Sequence, residues 1–187
     1  MQQILKTIKP STIEENKFTK IYTNFLSKLN KNLKSLKAIA IIGGSAAKGT
    51  WLSDNHDTDI FVLFNLEQYK EKSSKLSDIL EPILKKTFKN SSLSRVHGSR
   101  DYFQMLIENY SFEVVPILNI NESKNAINIT DVSPLHAKWV NAKTDLKLKD
   151  EIRLLKKFCK ANELYGAESH IGGFSGYILE ILTIHYQ

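Results

Sequence analysis

Three acids and one glycine-rich turn carry the chemistry that this chain can offer. Asp57 and Asp59 stand at i and i+2, directly before the apolar run Ile60-Phe61-Val62-Leu63-Phe64. In an extended strand that spacing sends both carboxylates to one face. Two carboxylates so placed repel each other unless a cation lies between them. Hard oxygen donors of this kind suit Mg2+, which is commonly held by one or two carboxylates together with substrate phosphates. Glu113 is a third acid, set among apolar neighbours in Phe112-Glu113-Val114-Val115. If its strand pairs beside the one carrying Asp57 and Asp59, three carboxylates converge. That is the donor set of two-metal phosphoryl or nucleotidyl transfer.

Upstream lies Gly43-Gly44-Ser45-Ala46-Ala47-Lys48. The two glycines let the backbone turn sharply and approach a ligand closely. Ser45 offers a hydroxyl and its backbone N–H at the start of a short helix, a favourable place for phosphate. Lys48, one turn later, can reach the same anion. Each piece alone has a bland counterpart: Asp-x-Asp is more often a surface turn, and Gly-Gly-Ser is more often just a loop. Their conjunction, with a later acid inside an apolar strand, is what points to nucleotide chemistry.

The elements that must position these residues can be read from periodicity. Ala38 to Ile42 is a short buried strand running into the glycines, and Ile60 to Phe64 is a second. Ser11-Thr12-Ile13-Glu14 has the form of a capping box. Phe18, Ile21, Tyr22, Phe25, Leu26, Leu29 and Leu33 then recur at helical spacing, with Lys17, Lys20, Lys28, Lys31 and Lys34 mostly on the wet face. Residues 67–88 read as a helix that Pro82 bends or divides. Residues 93–118 suggest a hairpin turning at Asn109-Tyr110-Ser111, followed by an Asn-rich loop. Ser133-Pro134 opens a helical stretch. Within it, 150–161 presents Ile152, Leu155 and Phe158 on one side, Asn162 acts as a stop, and 176–186 is apolar. The expected fold is α+β: a mixed sheet flanked by helices over 1–130, then a helical segment over 131–187.

Composition narrows the class. The chain has 187 residues, 42% of them apolar and 25% charged, which is ordinary for a globular protein. Its formal charge of +6 is not spread evenly. Residues 1–37 hold eight Lys and two Glu, and the remainder holds 18 residues of each sign. A single cysteine, Cys159, rules out a disulfide framework and a cysteine zinc site, and suits a reducing compartment. No apolar run approaches the roughly 18 residues of a membrane span, and the N-terminus lacks the form of a secretory signal. A cytoplasmic protein with no membrane partner is expected.

Gly44-Ser45 through Asp57-x-Asp59 resembles the signature of the polymerase-β-like nucleotidyltransferase superfamily. Further motifs narrow the resemblance: Ala47-Lys48-Gly49-Thr50-Trp51-Leu52, Glu113-Val114-Val115-Pro116, Ser133-Pro134-Leu135-His136, Arg153-Leu154-Leu155-Lys156, Tyr165-Gly166-Ala167-Glu168 and Gly173-Phe174-Ser175-Gly176-Tyr177. In this order they are similar to the archaeal (class I) CCA-adding enzymes, the tRNA nucleotidyltransferases, over nearly the whole chain. The resemblance implies Mg2+-dependent, template-independent transfer from CTP or ATP to the 3′ end of tRNA. It implies that Asp57, Asp59 and Glu113 hold the metal and act in catalysis. Gly44, Ser45, Lys48, Ser133, His136, Lys156 and Tyr165 would contact the nucleotide triphosphate. It also implies a minimal or truncated form, with 1–130 as the catalytic head domain and 131–187 as the first part of a central domain. The family's body and tail regions would be absent, which leaves room for a dimer or a second chain supplying them.

The chain departs from the family pattern at several positions. Glu113 stands where Asp is usual, Val132 and Gly172 stand where Arg is usual, and only Tyr102 survives of the family's Glu-His-Pro-Tyr stretch. Arg95, Arg100 and Arg153 are the only arginines, so phosphate contacts fall largely to Lys. Two rivals remain. One is a stand-alone small nucleotidyltransferase acting on another acceptor, such as a protein hydroxyl, another RNA end or a small molecule. The other is a binding module without turnover.

Overall fold

A computed structural model describes residues 2–53, 57–167 and 170–187; Glu168, at the end of one predicted motif, lies outside them. In chain order the elements are α1 (Gln2–Ile8), α2 (Thr12–Leu33), β1 (Ala38–Ile42), α3 (Gly44–Lys48), β2 (Asp57–Asn65), α4 (Leu66–Tyr69) and α5 (Leu76–Thr87). Then follow β3 (Leu93–Val96), β4 (Tyr102–Ile107), β5 (Tyr110–Asn119), α6 (Ser133–Lys143), α7 (Leu146–Ala161) and α8 (Gly176–His185). The protein is thus α+β, with one mixed five-stranded sheet and flanking helices, as its sequence leads one to expect. Among the described residues no helix is long and apolar enough to cross a membrane.

The chain forms two compact units that interleave in sequence. One comprises Lys17–Gly44 and His56–Leu135; the other comprises Met1–Asn16, Ser45–Asn55 and His136–Gln187. The first is the sheet unit, with strand order β1-β2-β5-β4-β3. β2 and β5 are parallel, and every other pairing is antiparallel. The core sits where α2 lays Phe18, Ile21, Phe25, Leu29 and Leu33 onto the sheet. Phe25 stacks between Phe88 and Phe112, with ring centroids 4.5 and 4.3 Å away. β2 adds Ile60, Val62 and Phe64, and α5 adds Leu76, Leu80 and Leu84, all fully buried. Each such side chain contributes about 1.5–3 kcal/mol of burial free energy.

Arg100 and Asp131 form a buried pair that fastens the loop after β5. Arg100 donates to Asp131 Oδ1 at 2.6 Å, to the Pro116 carbonyl at 2.9 Å and to Ser73 Oγ at 2.7 Å. Asp131 also accepts from the backbone N–H groups of Leu118, Ile127 and Asn128. A buried charge needs such a full set of partners.

The second unit is helical and is built from α1, α6, α7, α8 and the loop that follows β1. Ser11 and Glu14 form the reciprocal cap expected before α2, and Glu14 also accepts from Ser53 Oγ in that loop. α7 is capped by Asp145, whose carboxylate accepts from Leu148 N at 2.7 Å.

Several expected boundaries move, each for a local reason. The helix expected over 67–88 is broken near Lys72, whose φ of −111° and ψ of 17° are non-helical, and not at Pro82. Pro82 lies inside α5 without ending it. The hairpin turns at Glu108 and Asn109, both left-handed at φ of 51° and 66°, so Tyr110 already belongs to β5. That pair of positive φ values is what a two-residue hairpin loop requires. Pro116 lies within β5, tolerated because β4 pairs with β5 only as far as Val114. α7 starts at Leu146, four residues before the expected 150, and Phe158 faces outward at 61% exposure. α1 and β3 carry too short a pattern to be read in advance.

Candidate active site

The parallel register of β2 and β5 sets Asp59 directly beside Glu113, with Asp57 two residues earlier beside Ser111. On its other side Glu113 pairs with Gln104 of β4. Asp59, Glu113 and Gln104 therefore form one row across three strands, and Gln104 Nε2 donates to Glu113 Oε1 at 2.8 Å. Burial alternates along β2: Asp57 is exposed, Thr58 buried, Asp59 half-buried and Ile60 buried, which puts both aspartates on the wetter face. The turn before β2 is shaped around Asp59. Gly43 N donates to the Asp59 carbonyl at 2.8 Å. Gly44 is left-handed, at φ +54°, and a Cβ there would stand 1.6 Å from Asp59 Oδ2. Only glycine leaves room for this carboxylate.

Three acids thus meet on neighbouring strands, as the sequence requires for a metal site, but they do not close into a cage. Among the described residues no group of three His, Cys, Asp or Glu side chains is drawn together tightly enough to hold an ion. Glu113 instead spends one oxygen on Gln104. The three carboxylates form an open set of hard donors. Such a set fits a divalent cation that also takes ligands from substrate phosphates and water.

The basic residues singled out from sequence lie chiefly in the helical unit. Lys48, at the end of α3, and Lys156, in the middle of α7, are both buried and share one carboxylate. Lys48 Nζ donates to Glu180 Oε2 at 2.6 Å, and Lys156 Nζ donates to Glu180 Oε1 at 2.6 Å and to Thr50 Oγ1 at 2.9 Å. Thr50 in turn donates to Glu180 Oε1 at 2.9 Å. His136 stacks on Tyr177, with centroids 3.9 Å apart, and Lys48 Nζ lies 5.7 Å from the same tyrosine ring. A Cβ on Gly176 would meet the Tyr165 hydroxyl at 2.8 Å and Lys156 Nζ at 3.7 Å, so those two polar tips flank one glycine. The structure therefore gathers Lys48, His136, Lys156 and Tyr165. Ser45 is half-buried in α3, where its carbonyl accepts from Thr50 N. Ser133 is half-buried at the first position of α6, three residues before His136, and belongs to the sheet unit.

Electrostatics follow from this packing. Burial lowers the pKa of Lys156, with Glu180 opposing the shift. Burial pushes Glu180 up, but Lys156 and Lys48 outweigh it and its pKa falls below the usual carboxylate range. The pKa of His136 is lowered by burial and by Lys48, against a smaller opposing effect of Glu180, and the lowering favours the neutral ring.

Two residues that organise the helical unit were given no site role from the sequence. Glu180 is the only acid in the apolar helix Gly176–His185, and is fully buried. The signal was present, because an acid among apolar neighbours is the same pattern that marks Glu113. Arg153 is the other. It donates to the Gly49 and Trp51 carbonyls at 2.7 and 3.1 Å and to Asp150 at 2.6 Å. With Asn141, which donates to the Ala47 carbonyl at 2.9 Å, it clamps the loop that carries Lys48 and Thr50. Arg95 is held by Asp78, Glu81 and Asp101. All three arginines thus have protein partners. A groove of about 1120 Å3 in the helical unit, lined by Ile4, Leu148, Leu155, Phe158 and Leu182 among others, contains none of the residues predicted for the site.

Comparison with known proteins agrees with this chemistry. Residues 24–104 match the model of the nucleotidyltransferase domain, and residues 150–187 match that of the second domain of tRNA nucleotidyltransferase. The chain is 44% identical to the CCA-adding enzyme of Nanoarchaeum equitans over 147 residues, covering 78% of this chain and 35% of that protein. It is 35% identical to the CCA-adding enzyme of Sulfolobus acidocaldarius over 187 residues, covering 99% and 42%. Among solved structures, Cid1, described as having RNA terminal uridylyl transferase activity, superposes with a TM-score of 0.67 at 18% identity, covering 97% of this chain and 49% of that one. That likeness establishes the fold. The chain spans about two fifths of the length of these curated relatives. With the Gly-Ser turn, the paired aspartates and the acid in their neighbouring strand, the chain is a nucleotidyltransferase, similar over most of its length to the first part of the CCA-adding enzymes.

Proposed function

We propose that this chain performs metal-dependent, template-independent nucleotidyl transfer from CTP or ATP to the 3′ end of tRNA, in CCA addition or repair. The observation that carries the reading is the register that sets Asp59 beside Glu113, with Asp57 on the same face of the sheet. In the reaction the 3′-hydroxyl oxygen attacks the α-phosphorus in line, a new O–P bond forms, the bond to the β-phosphate bridging oxygen breaks, and pyrophosphate leaves. Asp57, Asp59 and Glu113 would hold a divalent cation, Mg2+ by the hardness of the donors, which would neutralise charge on the triphosphate and lower the pKa of the attacking hydroxyl.

The protein's own residues orient these groups. Gly44 gives the Asp59 carboxylate its room, and Gln104 fixes the direction of Glu113, which would take the hydroxyl proton. Lys48 and Lys156 offer ammonium donors to the triphosphate, Tyr165, Ser45 and Ser133 offer hydroxyls, and neutral His136 offers one ring N–H.

Supplying labelled CTP and ATP with tRNA that lacks its 3′ terminus tests the reading. Asp59→Ala should abolish label in tRNA while circular dichroism stays unchanged. Full incorporation by that variant, or label entering only a non-RNA acceptor with the unaltered protein, would overturn it.

A further inference from the structure

Lys48 and Thr50 come from the turn after β1 and Lys156 comes from α7, and one side chain joins them. Both oxygens of Glu180 are spent on them, at 2.6, 2.6 and 2.9 Å, with the carboxylate fully sequestered from solvent. Burying two ammonium groups and one carboxylate gains little stability in itself, because desolvation offsets most of the attraction. A well-packed apolar trio would serve the fold as well.

The arrangement has two features that a purely structural ion pair does not need. It carries one positive charge more than it neutralises. It also leaves donors unspent: an ammonium has three N–H groups. Among the described residues, Lys48 has one hydrogen-bond partner and Lys156 has two. A buried cluster with surplus positive charge and free donors is built for a polyanion.

From this geometry we infer that Glu180 is a positioning residue for nucleotide binding, holding Lys48 and Lys156 on a single carboxylate so that their remaining N–H groups meet a triphosphate together. The inference rests on the nucleotidyl-transfer reading and adds to it a residue that the sequence motifs did not single out. Glu180 does this in two ways. Its two oxygens fix where the ammonium groups stand. Its charge also opposes the loss of the Lys156 proton that burial favours.

The charged and titratable groups around Glu180 are Lys48 of α3, Lys156 of α7, and His136 and Tyr177, which lie on α6 and α8. Arg153 of α7 adds a further positive charge near Lys156. Removing the carboxylate leaves only positive or neutral groups there. Lys156 would then lose its proton at lower pH, and with it the affinity for triphosphate.

Equilibrium binding of CTP, measured without RNA across pH 6–10, provides the test. Glu180→Gln keeps the shape but not the charge. It should weaken CTP binding about tenfold or more at pH 7.5 and move the alkaline loss of binding to lower pH. A Glu180→Gln protein that melts earlier yet binds CTP with unchanged affinity and pH profile would make Glu180 merely structural and overturn the inference. If Gln prevents folding, Glu180→Asp retains the charge but withdraws it by one methylene. KM for CTP should then rise several-fold with kcat little changed, and an unchanged KM would be fatal to the inference. Failure of the unaltered protein to bind any nucleoside triphosphate would instead count against the nucleotidyl-transfer reading itself.

Discussion

The two units of this protein present opposite electrostatic problems. On the sheet, Asp57, Asp59 and Glu113 share neighbouring positions with an amide, Gln104, as the only polar partner of Glu113 identified among the described residues. In the helical unit, Lys48 and Lys156 share one carboxylate. The first region gathers acids on adjoining strands, and the second carries one positive charge more than it neutralises. The difference also shows why net charge is a poor guide to function here. The whole +6 lies in residues 1–37, and Lys17, Lys20, Lys28 and Lys31 are exposed on α2, with Lys34 exposed just after it. The residues that argue for nucleotide chemistry come from the part of the chain whose charges cancel.

The largest effect expected from a single methyl group is at the turn. Gly44→Ala sets a Cβ against Asp59 Oδ2 and forces a left-handed backbone on alanine. A displaced carboxylate should lower the rate at saturating CTP by about 100-fold or more. A rate within threefold of the unaltered protein would mean that Asp59 is not held where the chemistry requires it.

Stability should reveal the imbalance in the helical unit as an asymmetry. Glu180→Ala strands two buried ammonium groups and should cost about 3–5 kcal/mol in urea unfolding. Lys156→Met leaves a neutral Lys48–Glu180 pair and should cost less, about 1–1.5 kcal/mol. Equal costs would contradict a cluster that carries surplus positive charge.

The same cluster has a pH signature. The pKa of Glu180 is lower folded than unfolded. Its contribution to stability is therefore full above its unfolded value of about 4.3 and fades as pH falls through the lower folded value. Lys156 is also lowered, so its burial opposes folding at neutral pH, and that cost diminishes as pH rises toward about 10.4. Thermal melts from pH 3 to 6 should show a shallower slope for Glu180→Gln than for the unaltered protein. The smallest effect belongs to α2. Changing Lys17, Lys20, Lys28 and Lys31 together to Gln should move stability by only about 0.5 kcal/mol, because they are exposed.

Much of this was legible in the sequence because the relevant signals are short-range. The i, i+2 spacing of Asp57 and Asp59, the glycines before them and the capping box at Ser11 are all local facts. The placing of Glu113 beside Asp59 was legible only as a condition, since strand register is a tertiary fact that no local pattern states. Glu180 escaped for a similar reason. It lies 132 positions from Lys48, and its meaning appears only when three segments meet around it. The break near Lys72 and the continuation of α5 through the exposed Pro82 reverse what propensity suggests, because α5 buries Leu80 and Leu84 on either side of the proline and packing outweighs it.

The central claim is that the sheet takes the cation and the helical unit takes the anion. It is tested most directly by titrating Mn2+ and CTP separately into Asp59→Asn and Lys156→Gln. The account predicts that Asp59→Asn weakens Mn2+ binding at least tenfold and leaves metal-free CTP binding within about threefold, while Lys156→Gln does the reverse. If Asp59→Asn binds Mn2+ as tightly as the unaltered protein, or if both substitutions weaken both ligands alike, the division of labour is wrong.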